Sequence, residues 1–228
     1  MTAPRLVIAS ALAVVFTAAA ADAQTAAAKA PRKQRELTIG GLLVGPMSLG
    51  NIEGNLVNGS GNETVTFIGL ENSLATGYGV EVNLGYQLKG RTWFEITGAW
   101  TRPKLSSKVL EDADGEQGAT ISTGVSRFAV GGALVRYLTD TGRTAWFLRI
   151  DGAWMRETAG GNTLTGDGFI GGGGLGWRHF WRTTGKGALK RMGLRIEGRG
   201  VVRGGGLDLG ESSVKFGAAG AGHLVFGF

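Results

Sequence analysis

The chain has 228 residues, 42 of them glycine, four proline and none cysteine, and a formal net charge of +6. Lack of cysteine excludes disulfide staples and thiolate metal sites. Glycine far above its usual share of about 7% signals an unusual architecture, but no Gly-X-Y period runs through the chain, and 43% apolar residues recur too regularly for low-complexity disorder.

Residues 1–23 carry one early basic residue, Arg5, then an apolar run from Leu6 to Ala20, then Ala21-Asp22-Ala23. This is the layout of a cleaved secretory signal peptide. It is short for a transmembrane anchor, which needs about 20 apolar residues. Residues 24–35, "QTAAAKAPRKQR", read as a basic, disordered lead-in. Beyond them no eighteen-residue apolar stretch occurs, so helical membrane spans are not expected.

From residue 36 onward the pattern is almost everywhere period two, the signature of strands whose side chains alternate between two faces. A first strand is expected over Leu37–Leu49, followed by a long polar loop over 51–75, rich in Asn and Gly. In "GYGVEVNLGYQL", Tyr78, Val80, Val82, Leu84 and Tyr86 oppose Glu81, Asn83 and Gln87. After a short turn at Leu88–Arg91, "RTWFEITGAW" sets Phe94, Ile96 and Trp100 against Glu95 and Thr97. A second long polar loop is expected over 102–118, including "EDADGE" at Glu111–Glu116. Its carboxylates lack the later ligands of an EF-hand and read as a solvated loop tip.

Ala119–Leu138 forms a further strand, and the turn Thr139–Arg143 leads into "TAWFLRIDGAW". There Trp146, Leu148, Ile150 and Trp154 oppose Arg149 and Asp151. Gly168–Trp181 follows, with "GGGGLG" at Gly171–Gly176. A dinucleotide site needs that motif between a strand and a helix. Here it lies inside a strand and no cofactor is expected. Past Thr183–Lys190, Met192, Leu194, Ile196 and Val202 oppose Arg195, Glu197, Arg199 and Arg203. The last run sets Val214, Phe216, Leu224, Phe226 and Phe228 against Lys215 and His223.

About eight strands joined by alternating short and long connections imply an all-β, antiparallel up-and-down barrel over residues 36–228. Periodicity alone does not say which face points inward. A soluble lipocalin-like carrier hides the apolar face; a transmembrane barrel turns it to lipid. Two features favour the second. The charged face mixes Gly, Ala and Thr with few charges, fitting a narrow lumen. Aromatics near strand ends (Trp93, Trp100, Trp154, Tyr86, Tyr137) read as interfacial girdles on the apolar face.

The final strand, with Leu224, Phe226 and a terminal Phe228, together with the signal peptide, resembles bacterial outer-membrane β-barrels. The architecture is similar to small eight-stranded barrels of the OmpA, OmpX and OmpW kind. The resemblance implies an outer-membrane location in a Gram-negative envelope, with short turns in the periplasm and long loops outside. It also implies that the last strand is a signal for the barrel assembly machinery and closes the barrel against the first strand.

The inward parity is then expected to hold Glu81, Glu95, Asp151 and Glu197 with Arg127, Arg149, Arg178, Arg195, Arg199 and Lys215. Isolated charges in a narrow lumen are costly and should pair. The expected role is therefore structural or surface-interactive, with a lumen filled by paired charges; the alternative is a narrow porin-like passage for small hydrophobic or anionic solutes. No metal, cofactor or catalytic residue is expected. His179 and His223 do not match the His-x-Ser arrangement that a resemblance to lipid A deacylases would require. Basic residues are dispersed rather than gathered into a patch, which disfavours nucleic acid. Outer-membrane lipid, lipopolysaccharide and surface ligands at the loops are the expected partners.

Overall fold

The structure, a computed structural model, describes residues 34–57, 64–112, 118–161, 163–183, 190–207 and 214–228. The segments expected to be signal peptide and lead-in lie almost wholly outside the described residues, as does most of the "EDADGE" stretch. The chain forms β1 (Arg35–Val44), β2 (Met47–Val57), β3 (Thr64–Leu74), β4 (Gly77–Lys89), β5 (Thr92–Arg102), β6 (Lys104–Asp112), β7 (Thr120–Tyr137), β8 (Thr144–Ala159), β9 (Leu164–Thr183), β10 (Arg191–Gly205) and β11 (Lys215–Gly227).

Eight of these close a ring. β1 pairs with β4, β4 with β5, β5 with β7, β7 with β8, and so on through β9, β10 and β11, every pair antiparallel. Closure comes from β11 against β1, with Leu224 opposite Ile39 and Phe226 opposite Leu37. The Phe228 N–H donates to Arg35 O at 3.0 Å, carrying the seam to the last residue. A closed ring leaves no barrel strand with an unpaired edge.

The long polar loops expected over 51–75 and 102–118 are instead largely strand. β2, β3, β6 and the first residues of β7 form a four-stranded sheet that rises beyond one end of the ring. The breaks that separate this ribbon from the barrel are local. Pro103, which has no N–H to donate, sits between β5 and β6, and Gly45-Pro46 sits between β1 and β2. At the opposite end the connections are tight. Gly90 and Gly142 adopt φ of 54° and 83° there, the left-handed conformation that side-chain-bearing residues resist.

Glycine inside the wall has a packing role as well. Gly176 faces the lumen on β9, and a Cβ built on it would collide with the Cζ end of the Phe147 ring, which is fully buried. Removing that methyl is what lets an aromatic ring fit within so narrow a barrel.

Candidate functional site: the lumen and the outer belt

Alternation sorts the wall into two surfaces. On the outside, exposed large apolar residues form a continuous belt. Ile39, Val80, Val82, Ile96, Val130, Leu148, Ile150, Leu175, Ile196 and Leu224 occupy its middle. Aromatics bound it on both sides: Tyr78, Trp100, Phe128, Trp154, Phe169 and Phe216 toward the ribbon, Phe94, Trp146, Trp177, Trp181, Phe226 and Phe228 toward the tight turns. Trp146 and Trp154 are eight residues apart on β8, about 26 Å of strand at about 3.3 Å per residue. At a tilt near 40° this is roughly 20 Å of height, the scale of a lipid-facing band. A contiguous exposed apolar surface of this extent marks an interaction surface rather than a wetted wall.

Two aromatics expected in the girdles are not there. Trp93 and Tyr137 share the parity of Glu95 and Val135 and lie in the lumen, 4% and 2% exposed. With Phe147, Val135 and Ala145 they form a cluster near the tight-turn end, Trp93 on Tyr137 edge-on at 6.0 Å and Tyr137 on Phe147 at 5.7 Å.

Stacked on this cluster are three ionic groups separated by apolar packing. The first, at the tight-turn end, is Glu36, which accepts from Arg178 Nη1 at 2.7 Å, with Arg191 Nη2 at 3.4 Å. Arg178 also donates to Tyr137 Oη at 2.7 Å and lies 4.1 Å from its ring centroid and 4.6 Å from that of Phe180. The second group fills the middle of the barrel. Glu95 accepts from Arg149 Nη1 at 2.7 Å and from Arg195 Nη1 at 2.5 Å. Arg195 Nη2 reaches Glu197 at 2.9 Å. Arg199 Nη2 bridges Glu81 at 2.6 Å and Glu197 at 3.2 Å, while its Nη1 lies 3.6 Å from Asp151. Thr97 and Asn83 accept from Arg149 at 2.9 and 3.3 Å, satisfying donors the carboxylates do not reach.

Above this group lie Leu42, Val44 and Ala221, with Ala99 and Ala219, and a cavity of about 50 Å³. The third ionic group roofs it. Glu157 accepts from Arg127 Nε at 2.8 Å, Arg203 Nη2 at 2.6 Å and the Leu207 N–H at 3.0 Å. Met47, Leu49, Leu74, Leu105, Val125, Ala159, Val201 and Leu207 close the ribbon end as an apolar cap.

Nine of the ten charges expected in the lumen are therefore inside and ion-paired: Glu81, Glu95, Arg127, Arg149, Asp151, Arg178, Arg195, Glu197 and Arg199. Lys215 is not brought to the others; it stands half-buried at the ribbon end of β11 and meets no carboxylate among the described residues. Four further partners lie outside the expected set: Glu36, which sits beside the basic lead-in, Arg191, Glu157, which lies beyond the expected run "TAWFLRIDGAW", and Arg203, which continues the parity of Arg199.

His223 is buried at 1% exposure, its Nε2 3.4 Å from Glu81 Oε1. Glu81, Glu197 and His223 offer ligand atoms within 4.8 Å of one another. The Arg199 guanidinium already bridges the two carboxylates, so a cation could enter only by displacing it. His179 lies on the outer face, stacked on Trp177 at 5.6 Å, with Nδ1 3.0 Å from Thr144 Oγ1.

No family model and no curated protein matches the sequence. Among solved structures, the attachment invasion locus protein Ail of Yersinia pestis, in complex with the heparin analogue sucrose octasulfate, overlaps at a TM-score of 0.40 and 8% identity, covering 86% of this chain and 99% of that one. Neisserial surface protein A overlaps at 0.39 and 12%, covering 86% and 94%. The fold stands on its own strand pairing: this chain is an all-β protein built on a closed, antiparallel eight-stranded barrel.

Proposed function

We propose that this protein is an outer-membrane β-barrel with a closed lumen and a structural or surface-contact role in a Gram-negative envelope. The observation that carries this reading is the pairing of an encircling apolar belt outside with buried ion pairs inside, the reverse of a soluble barrel. In this orientation the tight turns and the start of β1 face the periplasm, and the ribbon of β2, β3, β6 and β7 stands outside the cell. Residues 1–23 act as the export signal. Leu224, Phe226 and Phe228, all on the lipid face of the closing strand, act as the terminal signature read by the assembly machinery. Outer-membrane lipid and lipopolysaccharide surround the belt, and the ribbon offers the surface for external ligands. No catalysis is assigned to it.

Three ionic groups, an aromatic floor and an apolar cap among the described residues support a closed lumen, as expected for a barrel this small. One observation favours the second reading, a gated passage for small solutes: the cavity of about 50 Å³ above the central ion pairs, room for one or two waters. Envelope fractionation with electrophoresis before and after boiling tests the location and closure; an unboiled band in the outer-membrane fraction that migrates faster supports both. Planar-bilayer recording then separates the roles. No conductance supports the closed barrel, and unitary steps would replace it with the passage.

A further inference from the structure

The belt edge toward the ribbon carries the same three-residue arrangement twice. Trp100-Thr101-Arg102 ends β5 and Trp154-Met155-Arg156 lies in β8. In both, the tryptophan faces outward and the arginine, two residues on, folds back over its ring, at 5.8 Å for Arg102 and 5.5 Å for Arg156. The two stations differ in what their guanidiniums meet. Arg156 donates from Nε and Nη2 to the two oxygens of Asp167, each at 2.8 Å, so its charge is satisfied within the wall. Arg102 has no such acid among the described residues. Its cross-strand neighbour on β4 is Tyr78, and the facing stretch of β7 presents Ser126 and Gly124.

Lys104 adds a second cation beside it. Pro103 points inward between them, so Arg102 and Lys104 are both exposed on the outer face. Their Cα atoms are about 7 Å apart along an extended chain, and both long side chains can converge on one group. No carboxylate among the described residues pairs with either. Lys108, farther along β6, stands opposite Glu71 and is not part of the pair.

We propose that Arg102 and Lys104 form a binding site for the phosphate of an anionic lipid, with the acyl chains lying down the belt past Trp100, Tyr78 and Phe128. The inference rests on the membrane reading above. A guanidinium held over a ring at the boundary between apolar wall and polar ribbon is placed where lipid phosphates lie. Guanidinium binds phosphate with two parallel hydrogen bonds and lysine adds a point charge. The occupant is a lipid rather than a free anion because the aromatic wall below the cations can bind only something that carries hydrocarbon.

The test uses the full barrel in neutral detergent micelles doped with phosphatidic acid or with phosphatidylcholine, and counts retained lipid by native mass spectrometry. Phosphatidic acid is expected to be retained preferentially, and the double variant Arg102→Gln/Lys104→Gln to lose about tenfold of that retention, the worth of a charge-assisted contact. Arg156→Gln should change it less than twofold. Equal retention of both lipids by the wild type, or an unchanged double variant, overturns the proposal; displacement of the lipid by equimolar inorganic phosphate overturns the assignment to lipid. Should the double variant not show the heat-dependent gel shift of a folded barrel, Lys104→Gln alone and the salt dependence of wild-type retention replace it; retention insensitive to salt overturns the site. Insertion into neutral phosphatidylcholine vesicles is scored in parallel. A wild type that inserts but ignores phosphate overturns only this site, and one that does not insert overturns the membrane reading.

Discussion

Replacing Arg149 by methionine tests how dry the lumen is. Arg149 is 1% exposed and faces all four carboxylates of the central group: Glu95 at 2.7 Å, and Glu81, Asp151 and Glu197 each at 3.8 Å. Among the described residues that group has three guanidiniums for four carboxylates, with His223 beside Glu81, so losing one guanidinium leaves the acids in clear excess. Methionine keeps the unbranched stem but leaves four acids facing two guanidiniums, Arg195 and Arg199, and His223. Removing one partner of a buried pair costs about 3–5 kcal/mol, because the remaining charge has lost both water and counter-ion. Glu95→Gln removes a charge from the side in excess, so it should cost clearly less. The double variant should be milder than the sum of the singles by about 1.5 kcal/mol or more, the coupling of groups in one network. The assay is equilibrium urea unfolding in phospholipid vesicles, followed by tryptophan emission, with the slope compared across variants. Loss of less than about 1 kcal/mol for Arg149→Met would refute the reasoning, since charges screened that well must be hydrated by a water-filled lumen.

Two further outcomes follow from the wall. Gly176→Ala should destabilise by about 1–3 kcal/mol through overpacking against Phe147. Gly198→Ala, whose new methyl would meet nothing within 4 Å, should stay within about 0.5 kcal/mol of wild type by the same urea assay. Ile150→Arg, mid-belt, should cost about 2–4 kcal/mol in bilayers, whereas Ser122→Arg on the exposed ribbon should cost little; equal effects would remove the lipid from the outer face.

Much of this was legible from alternation alone. In "RMGLRIEGRGVVR" the parity that sets Arg195, Glu197 and Arg199 against Leu194 and Ile196 is the parity that the lumen and belt obey. At strand ends, aromatic type points to a girdle even where alternation points to the lumen. Trp93 and Tyr137 look like girdle residues, yet their parity follows Glu95 and Val135, and they fill the floor of the lumen because Gly176 leaves room beside Phe147. The ribbon was hidden for a different reason. β2 and β3 slip register near Ser48–Gly50 and Gly54–Asn55, and their Asn- and Gly-rich sequence carries no long apolar alternation, so paired strands read as loop. Alternation in β8 runs on past Trp154, the end of the expected run, and brings Glu157 opposite Arg127, the pair at the heart of the third ionic group. The split between two identical Trp-x-Arg stations needed the cross-strand register, since Asp167 sits on a neighbouring strand.

The central claim is that the belt touches lipid and the lumen does not. Single-tryptophan variants retaining only Trp154 or only Trp93, folded into vesicles containing brominated phospholipid, measure this directly. Trp154, 50% exposed on the outer face, should be quenched strongly by the bromines, and Trp93, closed inside with Tyr137, hardly at all. Strong quenching of Trp93, or a Trp154 that ignores the bromines and responds instead to an aqueous quencher, would contradict the account.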